Sequence, residues 1–188
     1  MGLIEPRTSR LQLRQWREED LPAMAAMHAD PRVMRYFPAI LDREQSDAAV
    51  ARFANHIRQH GWGFWAVECR HSGACLGLVG LAHIPDDLPV APGVQVGWRL
   101  VADAWGQGYA TEAAEAALAV GFATLGLAQI LSYTPVINTP SRAVMERLGM
   151  HRDDEDFEHP LLEEGAPLRR HCLYRLLQPE WQGRALDD

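Results

Sequence analysis

The sequence contains no lysine: all 18 of its basic residues are arginine. That absence excludes a P-loop at once, because a P-loop needs Gly-Lys-Ser/Thr to hold its phosphates. Cysteine is scarce, with three residues and no framework, which fits a reducing cytoplasm rather than a disulfide-stapled secreted fold. No run approaches the ~18 apolar residues of a membrane span, and no basic stretch leads into an apolar core as in a secretory leader. Met1-Gly2 is followed by Pro6 where a myristoylation signal needs Ser or Thr. Surplus positive charge is missing too: the net charge of −7 leaves no basic face for a nucleic acid. The expectation is a cytoplasmic protein, monomer or homodimer, that engages neither nucleic acid nor membrane.

With 188 residues, nearly half of them apolar, one domain over 1–188 with a real core is expected, its tail loosely held after about residue 179. The stretch from Val94 to Leu127 organises it. Val94, Val96, Trp98 and Leu100 alternate as in a strand. The chain then turns through Trp105-Gly106-Gln107-Gly108 into an Ala-rich helix that buries Ala113, Ala117, Leu118, Gly121, Phe122 and Leu125. A helix N-terminus carries free N–H groups and partial positive charge, and glycine lets an anion approach the backbone, so this turn is a phosphate site in waiting. A dinucleotide fingerprint fails here: Thr111 stands where its third glycine belongs, and the strand near Ile130 carries no ribose-binding acid.

The remaining chain alternates strands and helices. Arg10–Arg14 reads as a strand, followed by a helix over Leu21–His28 with Asp20 as N-cap and Pro22 in its first turn. Arg32–Phe37 is a short helical turn, and a long helix runs from about Leu41 to His60, ended by Gly61. Trp62–Cys69 and Cys75–His83 form a hairpin. Cys69, His71 and Cys75 lie close there, but with no CxxC and no fourth ligand no metal is expected. Ile130–Pro135 is a further strand, Pro140–Leu148 a helix capped by Asn138 or Thr139, Met150 begins a strand, and Leu168–Leu177 is the last. Residues 153–158 form an acidic loop. The fold class is α/β (α+β): a mixed, mostly antiparallel sheet of six to seven strands with about four helices.

Trp105-Gly-Gln-Gly-Tyr-Ala110, placed after a strand ending Gly97-Trp-Arg-Leu100, resembles the acetyl-CoA motif Gln/Arg-x-x-Gly-x-Gly/Ala of the GNAT superfamily of N-acetyltransferases, with Trp105 at the first position. Asn138-Thr-Pro-Ser141 leading to Leu148-Gly149-Met150, and Thr8-Ser-Arg10-Leu11-Gln-Leu13-Arg14, resemble its Rim-type (RimJ/RimL-like) ribosomal-protein branch. The resemblance implies an acetyl-CoA-dependent N-acetyltransferase acting on a primary amine, either a protein N-terminus or a small molecule, by direct transfer in a ternary complex. It places the cosubstrate on Trp105, Gly106, Gln107, Gly108, Tyr109, Ala110 and Thr111, with the pyrophosphate on the backbone N–H groups from Gln107 to Thr111. The pantetheine arm falls to Leu100, Val101, Asn138 and Ser141. Met34, Tyr36, Phe37 and Leu41 fall on the acceptor side.

The catalytic set implied is Ser141, facing the thiol as a proton donor or as the holder of a water, with Gln95 where many relatives carry a glutamate base. An amide takes no proton at neutral pH. Gln95 shares a strand face with Gly97 and Arg99, and is left to orient the acceptor. His83, His171 or a carboxylate of the acidic loop is then a candidate base. The missing carboxylate also motivates a rival reading, a catalytically silent acyl-CoA-binding module. Alternatively no strong base is needed: an α-amine with a pKa of roughly 8 is ~10 % free at neutral pH, whereas a lysine amine near ~10.4 is far less so.

Overall fold

A computed structural model describes residues 2–184, with side chains through residue 182. The chain groups into two units, Met1–Leu81 with Gly97–Ala117, and Ala82–Val96 with Leu118–Asp188.

In the first unit, β1 (Leu11–Arg14) pairs antiparallel with β2 (Phe64–Cys69), and β2 with β3 (Cys75–His83), whose last two residues belong to the second unit. β4 (Val94–Leu100) is the next strand of the sheet after β3. Two helices intervene between β1 and β2. In α1 (Leu21–Ala29), Asp20 stands at the N-cap as expected, yet its carboxylate makes no capping bond, because Arg14 claims it. The second, α2 (Arg43–His60), opens with a reciprocal capping box between Asp42 and Gln45 and ends at Gly61 in the left-handed region. Leu11, Leu13, Met24, Met27, Ile57 and Trp65 are buried, so the apolar alternation of the strands and the stripe of α2 form this core. α3 (Tyr109–Ala119) begins here.

In the second unit the first residues of β4 run parallel to β5 (Gln129–Pro135), with Gln95 opposite Leu131. β5 pairs antiparallel along its whole length with β8 (Arg170–Leu177). Two short strands, β6 (His151–Arg152) and β7 (Phe157–Glu158), also pair antiparallel with β8. The sheet is thus mixed, with eight strands and five α-helices among the described residues, one strand and one helix beyond the expected upper counts. The extra strand is β7, inside the stretch expected to be an acidic loop. After Ala119 the α3 path continues as a π-turn over Val120–Thr124, where the sequence pattern predicts uninterrupted α-helix. α4 (Thr139–Arg147) is capped by Asn138. Where a loose tail is expected, Gln178–Arg184 forms α5, and Trp181 stacks on Phe122 at 5.8 Å; the rest of that expected tail, 185–188, lies outside the described residues. Ile84, Leu88, Leu131 and Leu173 form a core cluster, with Val90, Tyr133 and Phe157 packed against it.

Candidate active site

The glycine turn is held open by backbone geometry. Gly106 and Gly108 have φ of +71° and +79°, a region that side-chain-bearing residues adopt only with strain. A Cβ on Gly106 would meet nothing within 4 Å, so the loop faces open space there. The first bond of the helical ladder runs from Glu112 N–H to the Gly108 carbonyl at 3.0 Å. The N–H groups of Tyr109 and Ala110 therefore precede that ladder and have no helical acceptor, as a phosphate cradle requires.

Trp105, the unusual first residue of the motif, donates its indole N–H to the Leu100 carbonyl at 3.0 Å and clips the loop to the end of β4. Val101 is engaged at both ends: its N–H reaches Leu76 O at 2.9 Å, and its carbonyl accepts from Ala104 N at 3.0 Å. Of the two β4-end residues among those expected to hold pantetheine, Val101 thus already engages both backbone groups inside the chain.

Arg10 is the loop residue that sequence reasoning missed. Its Nη1 donates to the Gln107 carbonyl at 2.9 Å, its guanidinium lies 4.5 Å from the Tyr109 ring centroid, and its Nε pairs with Glu112 at 2.6 Å. Glu112 also accepts from Thr8 Oγ at 2.5 Å and from the Arg10 N–H at 3.0 Å. Burial pushes the Glu112 carboxyl up, but these donors outweigh it and hold the group below its ordinary value. A fixed anion in the first turn thereby parks a cation beside the cradle. The signal available in the sequence was indirect: a motif without Arg or Lys must take its positive charge from elsewhere.

In the second unit, Asn138 is buried and serves as the cap of α4. Its Nδ2 donates to Thr134 Oγ1 at 2.8 Å and to Ser141 Oγ at 3.1 Å, while its Oδ1 accepts from Ser141 N at 3.4 Å. Ser141 Oγ is thus an acceptor, and its own proton is directed to no group among the described residues. Gln95 donates Nε2 to the Tyr133 hydroxyl at 3.0 Å, which leaves Oε1 as the acceptor end of the amide. Tyr133 was not foreseen; its phenol is raised chiefly by burial.

The candidate bases fare unequally. His83 closes β3 in an exposed position. His171 is buried, with Nδ1 3.1 Å from the Arg169 carbonyl, and burial lowers its pKa so that the imidazole is neutral. The acids of residues 153–158 are largely spent: Asp153 pairs with Arg175, Asp156 with Arg152 and Arg170, and Glu158 with Arg169. Among the described residues no group of three or more His, Cys, Asp or Glu is placed to hold a metal ion, and no helix is long and apolar enough to cross a membrane.

Residues 10–151 match the family model described as the acetyltransferase (GNAT) domain. This chain belongs to the GNAT acetyltransferases. Among relatives of this GNAT chain, YnaD of Bacillus subtilis (strain 168), described as an uncharacterized N-acetyltransferase, is 27 % identical over 175 residues, 93 % of this chain and 97 % of that protein. An acetyltransferase from Agrobacterium tumefaciens of known structure superposes with a TM-score of 0.76 at 30 % identity, covering 95 % of this chain and 96 % of that one. A spermidine N-acetyltransferase from Vibrio cholerae, solved with CoA and spermine, shares the fold at 20 % identity with a TM-score of 0.73, covering 93 % of this chain and 99 % of that one. The protein is an acetyl-CoA-dependent acetyltransferase, and the open glycine turn with its unladdered N–H groups fits the anionic half of that cosubstrate.

Proposed function

We propose that this protein moves the acetyl group of acetyl-CoA directly to a primary amine within a ternary complex, the acceptor being a protein N-terminal α-amine or a small-molecule amine. The observation that carries the reading is the start of α3: an open Gly106–Gly108 turn, the N–H groups of Tyr109 and Ala110 ahead of the helical ladder, and Arg10 fixed beside them. When bound, acetyl-CoA supplies an activated thioester; the chain's own groups bind, polarise and move protons. The loop N–H groups of residues 107–111 hold the pyrophosphate. With Val101 N–H committed to Leu76, the Leu100 N–H is the donor we assign to the thioester carbonyl, an oxyanion-type role. Asn138 holds Ser141 with its hydroxyl proton uncommitted, so Ser141 donates to the departing thiolate. Gln95 Oε1 accepts a hydrogen bond from the acceptor amine and aligns it without deprotonating it. The narrower Rim-type assignment is supported by the Trp105 motif and the Asn138–Ser141 block.

Without a carboxylate at position 95, the amine must arrive already deprotonated. Thiol release, measured with acetyl-CoA and amine varied together, is expected to give intersecting initial-rate lines. Its kcat/KM for the amine should rise about tenfold per pH unit and level only near the amine's own pKa, roughly 8 for an α-amine. Parallel lines would instead require an acetylated enzyme, and a plateau set near pH 6 would reveal an enzymic base. No thiol release with any amine, from protein that binds acetyl-CoA, would favour the silent module.

A further inference from the structure

Arg99 is a cation packed into the first unit without a counter-ion. Its guanidinium carbon lies 3.7 Å from the centroid of the Phe37 ring, and its Nε is buried with no hydrogen-bond partner. The buried Arg14 is matched to Asp20 and Glu68, and even the more exposed Arg10, Arg32 and Arg43 pair with Glu112, Asp30 and Asp47. Among the described residues no carboxylate forms an ion pair with Arg99. The titratable group that feels its charge is His28, fully buried with Nδ1 2.8 Å from Ser46 Oγ. Burial first, then the charge of Arg99, lowers His28 to about 4, so it is neutral and supplies no negative charge. Burial lowers Arg99 itself only to about 10, which leaves it charged at neutral pH.

A desolvated guanidinium normally finds a carboxylate or phosphate that matches its planar fork. Stacking on Phe37 offsets part of the desolvation but satisfies none of the N–H donors. Position says where the missing anion comes from. Arg99 immediately precedes Leu100, the residue assigned above to the thioester carbonyl, and by strand alternation its side chain leaves β4 on the face of Gly97. On that face the Phe64 ring closes over the strand at Gly97, where a Cβ would sit only 3.2 Å from it. The cosubstrate's phosphates already have the loop N–H groups and Arg10.

We propose that Arg99 binds a carboxylate carried by the acceptor, so that the acceptor is an amine bearing its own acid, an amino acid or a short peptide, and not a polyamine. This deepens the acetyl-transfer reading and rests on it. The fork of Arg99 then acts as a specificity element, fixing the acceptor by its acid while its amine meets the thioester; a polyamine would bring like charge to the same place.

The test is thiol release from acetyl-CoA with a panel of amino acids and dipeptides, each paired with its C-terminal amide, and with spermidine and phosphoethanolamine as further arms. For wild type, kcat/KM is expected to favour the best acid over its amide by at least about tenfold, chiefly through KM. In Arg99→Gln that ratio is expected to fall to about parity while the Kd for acetyl-CoA stays within about twofold; Arg99→Lys should recover only part of the ratio. Parity between acid and amide in wild type overturns the proposal, whatever the variants do. So does a preference for spermidine or phosphoethanolamine, an acid preference that survives Arg99→Gln, or failure to acetylate any acid by protein that binds acetyl-CoA. Loss of acetyl-CoA binding by wild type would overturn the underlying reading instead.

Discussion

Glutamate in place of Gly108 is expected to raise the Kd for acetyl-CoA by about a hundredfold or more while leaving the protein folded. Three effects act together. The φ of +79° costs a side-chain-bearing residue ~1 kcal/mol. The new Cβ would stand 3.4 Å from Arg10 Nη2, so the added carboxylate competes for the cation beside the cradle. It also brings negative charge to the helix N-terminus, where the pyrophosphate must sit. Losing two hydrogen bonds to a charged group, each worth ~1.5–3 kcal/mol, gives about 3 kcal/mol, and every ~1.4 kcal/mol is a factor of ten in Kd. Gly108→Ala isolates the backbone term and should cost about tenfold or less. Binding within twofold of wild type in the glutamate variant would mean that the phosphates lie elsewhere.

Arg14→Ala is expected to give the largest loss of stability. Arg14 is 3 % exposed and donates to both oxygens of Asp20 at 2.7 and 2.8 Å, to Glu68 at 2.6 Å and to the Gln15 carbonyl at 3.1 Å. Asp20 is equally buried and accepts in addition from Arg17 N at 2.9 Å. Truncating the arginine strands that carboxylate in the interior, at a cost of ~3–5 kcal/mol, a large part of the ~5–15 kcal/mol that stabilises a typical domain. For a chain of this size the melting temperature should fall by roughly 10 °C. The pH dependence carries a definite sign. Burial raises the Asp20 carboxyl, but the bonds from Arg14 and the Arg17 N–H outweigh it and hold it below its ordinary value. Its contribution is therefore complete above the unfolded pKa of roughly 3.9 and is lost as pH falls through the lower folded value. Denaturant titrations should show the Arg14→Ala deficit in full at pH 7 and shrinking below about pH 4. A deficit under about 1 kcal/mol at pH 7 would mark the network as no stronger than a surface ion pair.

Local chemistry made much of the fold legible. Asp42 with Gln45 and the closing Gly61 delimit α2; Asn138 and Gly149 delimit α4. These signals act within a few residues, so a sequence displays them directly. β7 is different. Phe157–Glu158 has no apolar alternation and becomes a strand only because Phe157 pairs with His171 of β8. The acidic stretch likewise reads as free negative charge until Arg152, Arg169, Arg170 and Arg175 are brought against it. The π-turn inserts one residue per turn without any marker in the apolar spacing of Val120–Thr124.

The site divides in the same way. The cradle is local, a glycine turn feeding a helix, and its motif is visible. What tunes it is not: Arg10 and Glu112 stand 102 residues apart, and Gln95 meets Tyr133 from another strand. Asp20 shows the limit sharply. Its place before α1 announces a cap, and it occupies the cap position, but its carboxylate is taken by Arg14, a partner that only the packing of β1 supplies.

The account stands first on the glycine turn as a cosubstrate cradle, and calorimetric titration of the folded wild-type protein with acetyl-CoA tests that directly. One site with a Kd in the micromolar range, unchanged by Arg99→Gln and weakened about a hundredfold or more by Gly108→Glu, is the predicted result. No heat of binding from folded wild type, or equal binding by the Gly108→Glu variant, would contradict it.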